Sequence, residues 1–361
     1  MIHTRIDTLE TADQNAWQDF IKLHPQATAY HHPGWLQATE QAYSHKGWLL
    51  SAWQDRSLVG VLPVCQLRRP GRDALVSLPF CDLGGALTLN SAADSALAEA
   101  GRTLLEHLGL GYLETRRLGL PLDDEQEGEP QVQEQQATVE KVSMQADLPA
   151  TPEILFSGFR AKLRSQIRKA EKNGLTATVE TGPEGIDAFY PVFAANMRRL
   201  GSPVHAKGWF LALQEAYGEQ LLVGVVRLDN TVVAAGVVLV QGNKACIPWA
   251  STLAEYNHLA PNMLLYWHLL SRVIEMGGQH FDFGRSTPGE GTYRFKRQWG
   301  AHPVELLWQS WQADGSMMLA DNASPGPLAR HSRQLAEACW QRLPLTLANR
   351  IGPHLRKHIS L

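Results

Sequence analysis

The chain has 361 residues, 44% of them hydrophobic and 19% charged, which excludes a disordered polymer and points to two packed domains of ordinary size. A net charge of −3 excludes a general nucleic-acid coat, so any anion must be held by local patches. Cys65, Cys81, Cys246 and Cys339 form no CxxC pair and the histidines lack metalloenzyme spacing; neither a disulfide framework nor a metal site is expected.

Met1–Glu10 mixes polar and apolar residues and no uncharged apolar run is long enough to span a bilayer, so a cytoplasmic protein is expected. Asp13–Leu23 and Gly34–Tyr43 read as helices. His31-His32, ahead of an expected Pro33-Gly34 turn, is expected at the surface. Trp48–Trp53 and Leu58–Leu67 follow as strands about a turn at Asp55-Arg56, then a helix at Ser91–Leu108 and a strand at Tyr112–Arg116. The acidic, Gln-rich Leu122–Gln136 has no periodicity and reads as a solvated loop or hairpin tip.

The same order then returns. Gly185–Leu200 and Lys207–Tyr217 read as helices, and Leu221–Leu228 and Val232–Val240 as strands about Asp229-Asn230. "GWLQATEQAY" at Gly34–Tyr43 parallels "GWFLALQEAY" at Gly208–Tyr217 at one constant offset, and the coincidences continue from helix to strand to turn, which indicates an internal duplication. A strand at Lys244–Ser251, a helix at Pro261–Met276 closed by Gly277-Gly278, a strand at Gln279–Phe283, a basic loop from Gly284 that holds Arg285, Arg294, Lys296 and Arg297, and a strand at Val304–Trp311 complete the second copy. This is the element order of a GNAT (N-acyltransferase) domain, whose sheet is expected to splay after its fourth strand. The expected class is α+β: two tandem GNAT-like domains with mixed, mostly antiparallel sheets flanked by helices, spanning 1–150 and 151–325, with a basic amphipathic tail over 326–361.

Thr151–Gly174 reads as one helix with a Thr cap and a leading proline. Arg160, Arg164, Arg168 and Lys172 stand four apart on it, with Lys162 and Lys169 nearby and Glu171 alone to offset them. Like charges at that spacing repel. Two readings stay open: a surface helix paired to acids elsewhere, or a phosphate track for a nucleotide, a lipid pyrophosphate or tRNA. In the tail, Arg330, Arg333, Arg342, Arg350, Arg356 and Lys357 face Glu337 alone, with Trp340, Leu343, Leu345, Leu347 and Ile351 between them. That composition suits a segment lying peripherally on an anionic inner membrane. The competing reading packs it on the second domain, with Pro344 and Pro353 breaking any long helix.

With "YHHPGWLQA" near the start, "LRSQIRKAEKNGL" opening the second copy and "FDFGRSTPGEGTYRFKRQWGA" closing it, the chain resembles the FemAB family of non-ribosomal aminoacyl transferases over nearly its whole length. It is most similar to the FemAB-like proteins that accompany exosortase/PEP-CTERM exopolysaccharide systems, whose tails are similar to "WQRLPLTLANRIGPHLRKHIS". The resemblance implies metal-independent transfer of an aminoacyl or acyl group onto an amine of a cell-wall or exopolysaccharide precursor carried on a lipid or nucleotide. Aminoacyl-tRNA or acyl-CoA would be the co-substrate, and no tightly bound cofactor is implied. The family's Phe-Lys pair falls on Phe295-Lys296, and Lys296 would stabilise the transferring acyl group. A fixed cation suits an aminolysis whose carbonyl oxygen turns anionic. Arg285 and Arg294 suit bidentate phosphate contacts; Arg164, Arg168 and Trp35 are further substrate-binding candidates, and Phe295 and Trp299 would frame an aromatic wall, with core packing as the alternative. Asp282, Glu290, His205 and Tyr293 are candidate bases, and spacing separates none of them. The stretch "YNHLAPN" at Tyr256–Asn262 lacks the glycines of a pyrophosphate loop, and the helical arm of some family members is missing, so the donor stays open. A conventional acyl-CoA N-acetyltransferase and a non-catalytic scaffold of polysaccharide synthesis are the alternatives.

Overall fold

The computed structural model describes residues 1–69, 71, 73–122, 141–312, 314, 316–319 and 327–361. The acidic stretch lies outside the described residues from position 123 onward. The first half comprises β1 (Ile2–Asp7), α1 (Gln14–Leu23), α2 (Pro33–Tyr43), β2 (Lys46–Gln54), β3 (Ser57–Leu67), β4 (Ala74–Val76), β5 (Leu87–Thr88), α3 (Ser91–Leu108), β6 (Tyr112–Pro121) and β7 (Val142–Asp147). The second begins with α4 (Pro152–Gly158), α5 (Ala161–Lys172), β8 (Leu175–Glu180), α6 (Pro183–Arg199), α7 (Lys207–Tyr217), β9 (Leu221–Leu228) and β10 (Thr231–Gln241). It continues with β11 (Lys244–Thr252), α8 (Pro261–Glu275), β12 (His280–Ser286), α9 (Gly291–Arg297), β13 (His302–Gln312) and β14 (Met317–Leu319). Two helices follow, α10 (Pro327–Arg342) and α11 (Leu345–Arg356).

The strands join in one mixed sheet, ordered β1-β2-β3-β4-β6-β13-β7-β12-β11-β10-β9-β8. Every pairing is antiparallel except two, β4 with β6 and β11 with β12. Each parallel pair is short. Lys244, Ala245 and Cys246 face His280, Phe281 and Asp282, after which β11 runs on without β12. That divergence is the expected splay of a GNAT sheet. The halves also exchange strands: β13 pairs with β6 from Tyr112 to Pro121, and β7 pairs with β12.

The duplication is visible in packing. Helices α2 and α7 lie against each other, and Trp35 meets Trp209 edge-on at 5.3 Å. Gln41 Nε2 donates to Glu215 Oε2 at 3.1 Å. The contacts are reciprocal. Tyr43 reaches His205 and the amide of Ala206, while Tyr217 donates to Ala29 O. Equivalent side chains meeting in this way signal an approximate two-fold axis between the halves. Trp35 is fully buried there, with Nε1 donating to Pro79 O, so it supports the interface instead of walling a substrate site.

Four expectations are corrected. The helix foreseen over Thr151–Gly174 breaks at Phe159 and Arg160, both extended. The break turns Phe159 inward against Trp299 and Trp267, and Arg164 Nη1 donates to Ser157 O and Phe159 O at 2.9 Å. Arg164 therefore satisfies the end of α4. His31 is buried, not at the surface: Nε2 bonds Gly85 O at 3.0 Å and Nδ1 bonds Thr28. Pro33-Gly34 opens α2 instead of forming a turn, with the His32 ring accepting from Gly34 N. Beyond Gly284 the chain bulges but stays in β12, and the basic segment expected as loop is α9.

In the tail, Pro353 is accommodated inside α11, and Ala348 and Gly352 are buried as α11 packs on α6. Among the described residues no helix is long and apolar enough to cross a membrane.

Candidate active site

Where β11 and β12 part, the sheet holds a cavity of about 290 Å³. Its walls come from Ala250, Ser251 and Thr252 at the free end of β11, Asn262 and Tyr266 on α8, and Phe295 and Lys296 on α9. Asn196 and Arg199 of α6 and Asn257 close the rim. Phe295 meets Tyr266 edge-on at 5.0 Å.

Of the two cations lining this cavity, Lys296 is half-buried and Arg199 is exposed. Lys296 Nζ donates to Gly284 O at 3.0 Å and Arg285 O at 2.9 Å. An ammonium has three N–H donors, so one is left. Burial pulls the Lys296 pKa from 10.5 to about 8, against the pull of the Asp282 and Asp82 carboxylates. Most of the group is thus charged at neutral pH, yet poorly hydrated. Gly284 makes the arrangement possible. Its φ of +76° is left-handed, and a Cβ there would stand 4.0 Å from Lys296 Nζ and 4.0 Å from Asp82 Oδ2, so strain rather than crowding favours glycine.

Two carboxylates flank the lysine. Asp282 Oδ1 accepts from Ser143 Oγ at 2.9 Å and Gly284 N at 2.7 Å, and its burial raises its pKa. Asp82 comes from the other half of the chain. It pairs with Arg285 (Nε–Oδ1 3.3 Å) and accepts from Arg285 N, while Oδ1 has no hydrogen bond. Arg285 also lies over the Trp308 ring at 5.3 Å.

The other expected site residues lie elsewhere. Tyr293 is half-buried in the packing of the second half. Trp299 is buried in that core, T-shaped against Phe159. Arg294 is exposed on α9, and Arg168 is exposed over Phe156. Among the candidate bases, His205 is held by Tyr43 in the interface and Glu290 is exposed at the start of α9. Asp82, Asn196, Arg199, Asn257 and Asn262 are site residues that sequence reasoning missed. Asp82 had only "FCDLGG" around it, a turn signal with no link to a partner over 200 residues away.

Helix α8 begins at Ala260, which holds a left-handed φ of +63° and gives no side-chain cap. Thr252 Oγ1 bonds Asn262 Oδ1 in its first turn. The first turn of α8 therefore opens toward the cavity as a dipole end suited to negative charge. Among the described residues no cluster of His, Cys, Asp or Glu is placed to hold a metal ion.

Comparison with known proteins agrees with this geometry. Residues 157–297 match the family model of an acetyltransferase (GNAT) domain. The chain has two GNAT-like folds in tandem. A crystal structure of FemX superposes with a TM-score of 0.67 at 14% identity, covering 84% of this chain and 95% of FemX. A tandem GNAT protein from the clavulanic acid biosynthesis pathway gives 0.53 at 12% identity, over 87% of this chain and 100% of that one. L-PGS from Bacillus licheniformis gives 0.51 at 10% identity, over 93% and 99%. No curated protein sequence matches the chain. The matched family segment contains α5, the cavity walls on β11 and α8, and Lys296 itself.

Proposed function

We propose that the protein is a FemAB-type transferase that moves an aminoacyl or acyl group onto an amine of a cell-wall or exopolysaccharide precursor, with Lys296 as its electrostatic catalyst. The observation that carries this reading is the spare N–H of a half-buried Lys296 ammonium, held by two backbone carbonyls at the sheet opening. The acceptor nitrogen attacks the carbonyl carbon of the donor, and the carbonyl electrons move onto oxygen. The spare N–H of Lys296 meets that oxyanion. Collapse then expels the ribose oxygen of an ester, or the sulfur of a thioester, as the amide forms. A fixed donor of this kind contributes about 2.7–4 kcal/mol to the transition state.

The attacking ammonium must first lose a proton. Neither carboxylate beside Lys296 is free to take it, Asp282 being held by Ser143 and Gly284 and Asp82 by Arg285, so the amine attacks in its neutral form after losing that proton to solvent.

Two donors fit the cavity. Aminoacyl-tRNA is favoured by α5, whose Arg160, Lys162, Arg168, Lys169 and Lys172 are exposed and whose C-terminal Asn173 Nδ2 bonds Leu259 O beside the cavity rim. Acyl-CoA is favoured by the uncapped first turn of α8 and by the family match. Calorimetry with charged tRNA, uncharged tRNA and acetyl-CoA at two salt concentrations separates them, since phosphate contacts weaken steeply with salt. Binding of neither donor would remove the transferase reading and leave a scaffold.

A further inference from the structure

Helix α11 divides its side chains sharply. Its inner edge is riveted to the seam between the halves. Gly352 lies on the backbone of Val204, where a Cβ would approach Val204 N to 2.9 Å. Arg198 Nη1 donates to Leu343 O, His45 Nε2 bonds Lys357 O at 2.8 Å, and Phe80 N donates to Ser360 O at 2.7 Å. Arg356 turns inward over the Phe80 ring at 5.4 Å. These residues, with Leu345 packed on the core, are unavailable to any partner.

The outer edge has no such cover. Leu347, Ile351 and Leu355 recur four apart along the helix and are 40%, 37% and 45% exposed, and Ile359, just past its end, is 38% exposed. Leu335 on the adjoining α10 is also exposed, at 55%. Arg342 and Arg350 are exposed beside this line, and the half-buried His358 brings the exposed Arg68 alongside through its carbonyl. The sequence contains no Asp or Glu after Glu337. An aliphatic stripe rimmed by cations without acids is complementary to an anionic lipid surface.

We propose that this outer face of α11 docks the protein on an anionic bilayer. Docking does not depend on the transfer reaction proposed above. Were both true, loop residues Phe80 to Asp82 would link the docked helix to Arg285 beside Lys296.

The test is co-sedimentation of the full chain with phosphatidylglycerol vesicles and with phosphatidylcholine vesicles. The expected result is binding to the first, weakened by raising NaCl from about 50 to 500 mM as screening shortens. Ile351→Glu with Leu355→Glu should lower that affinity at least about tenfold, and Arg342→Glu with Arg350→Glu should lower it for phosphatidylglycerol alone. Both pairs lie on the surface, and an unchanged thermal midpoint verifies folding. Equal binding by wild type and the Ile351/Leu355 pair, or none by wild type, overturns the proposal. So does a wild-type dimer in size-exclusion chromatography that the same pair renders monomeric, which would make the face an interface between copies. Acceptor turnover in detergent-free buffer is scored separately, so failed docking and failed transfer give different patterns.

Discussion

The two sheet openings began alike and ended differently. In the second half the parting of β11 and β12 leaves a cavity of about 290 Å³ under an uncapped α8. In the first half the parting of β4 and β6 is filled by the chain between Ser77 and Asn90. Gly85 N donates to Arg116 O, and the Arg116 guanidinium donates to Leu78 O and Cys81 O and pairs with Glu114. The space left there is about 20 Å³. Helix α3 is capped by Asn90, whose Oδ1 accepts from Ala93 N, so its dipole end is occupied. The loop that fills the closed opening also carries Asp82 across to Arg285, beside Gly284 and Lys296 of the open one.

The largest expected effect tests the open side. Lys296→Ala should lower turnover by about 10²–10³ with donor affinity within a few-fold of wild type, as removal of an oxyanion donor does. Single-turnover kinetics beside calorimetry read both numbers, and an unchanged rate would refute the catalytic role.

The next effect tests the closed side. Arg116→Met leaves Glu114 and the loop carbonyls unpaired, and should cost about 3 kcal/mol in urea unfolding. A loss well below 1 kcal/mol would mean that the loop closes without its arginine.

A third effect comes from protonation. Lys296 loses its charge as pH rises through about 8, so the rate should fall on that alkaline side, about tenfold per pH unit well above it. The sign for stability is opposite. Because the folded pKa lies below the ordinary 10.5, the unfolded chain holds more protons between about 8 and 10.5. This group's burial cost is full below that window and is relieved as pH rises across it. Comparing wild type with Lys296→Met by unfolding at pH 7.5 and 10 isolates the term.

The smallest effect is at the mouth of the open side. Ala260→Gly should relieve a left-handed alanine and raise stability by up to about 1 kcal/mol, read as a small rise in thermal midpoint. A fall would show that the alanine is held there by packing.

Much of this architecture was legible because it repeats locally. The helix and strand order of the second copy, and the offset joining Trp35 to Trp209, are periodicity and side-chain facts that need no long-range knowledge. The break at Phe159 was hidden because its cause, burial against Trp267 and Trp299, lies over 100 residues downstream. His31 looked like a surface residue because a histidine pair before proline says nothing about Gly85 O waiting in another loop. The site was legible in part. Lys296 came through resemblance to a motif, not through spacing, whereas Asp82 became visible only when the fold brought the other half against it. In the tail, the sequence listed Arg356 among the cations and Leu345 among the apolar groups without saying which of them the protein covers; the fold turns both inward.

The exchange of β7 and β13 governs how a nascent chain can reach this state. The first half's sheet lacks a strand until residues 302–312 have been synthesised, because β6 pairs there with β13. Until then β6 presents an open edge, the kind of edge that recruits other strands. Neither half should survive as an isolated fragment, and a nonsense truncation before β13 should aggregate instead of leaving a working first domain. The ribosome must release residues 302–312 before β13 can fill the gap between β6 and β7.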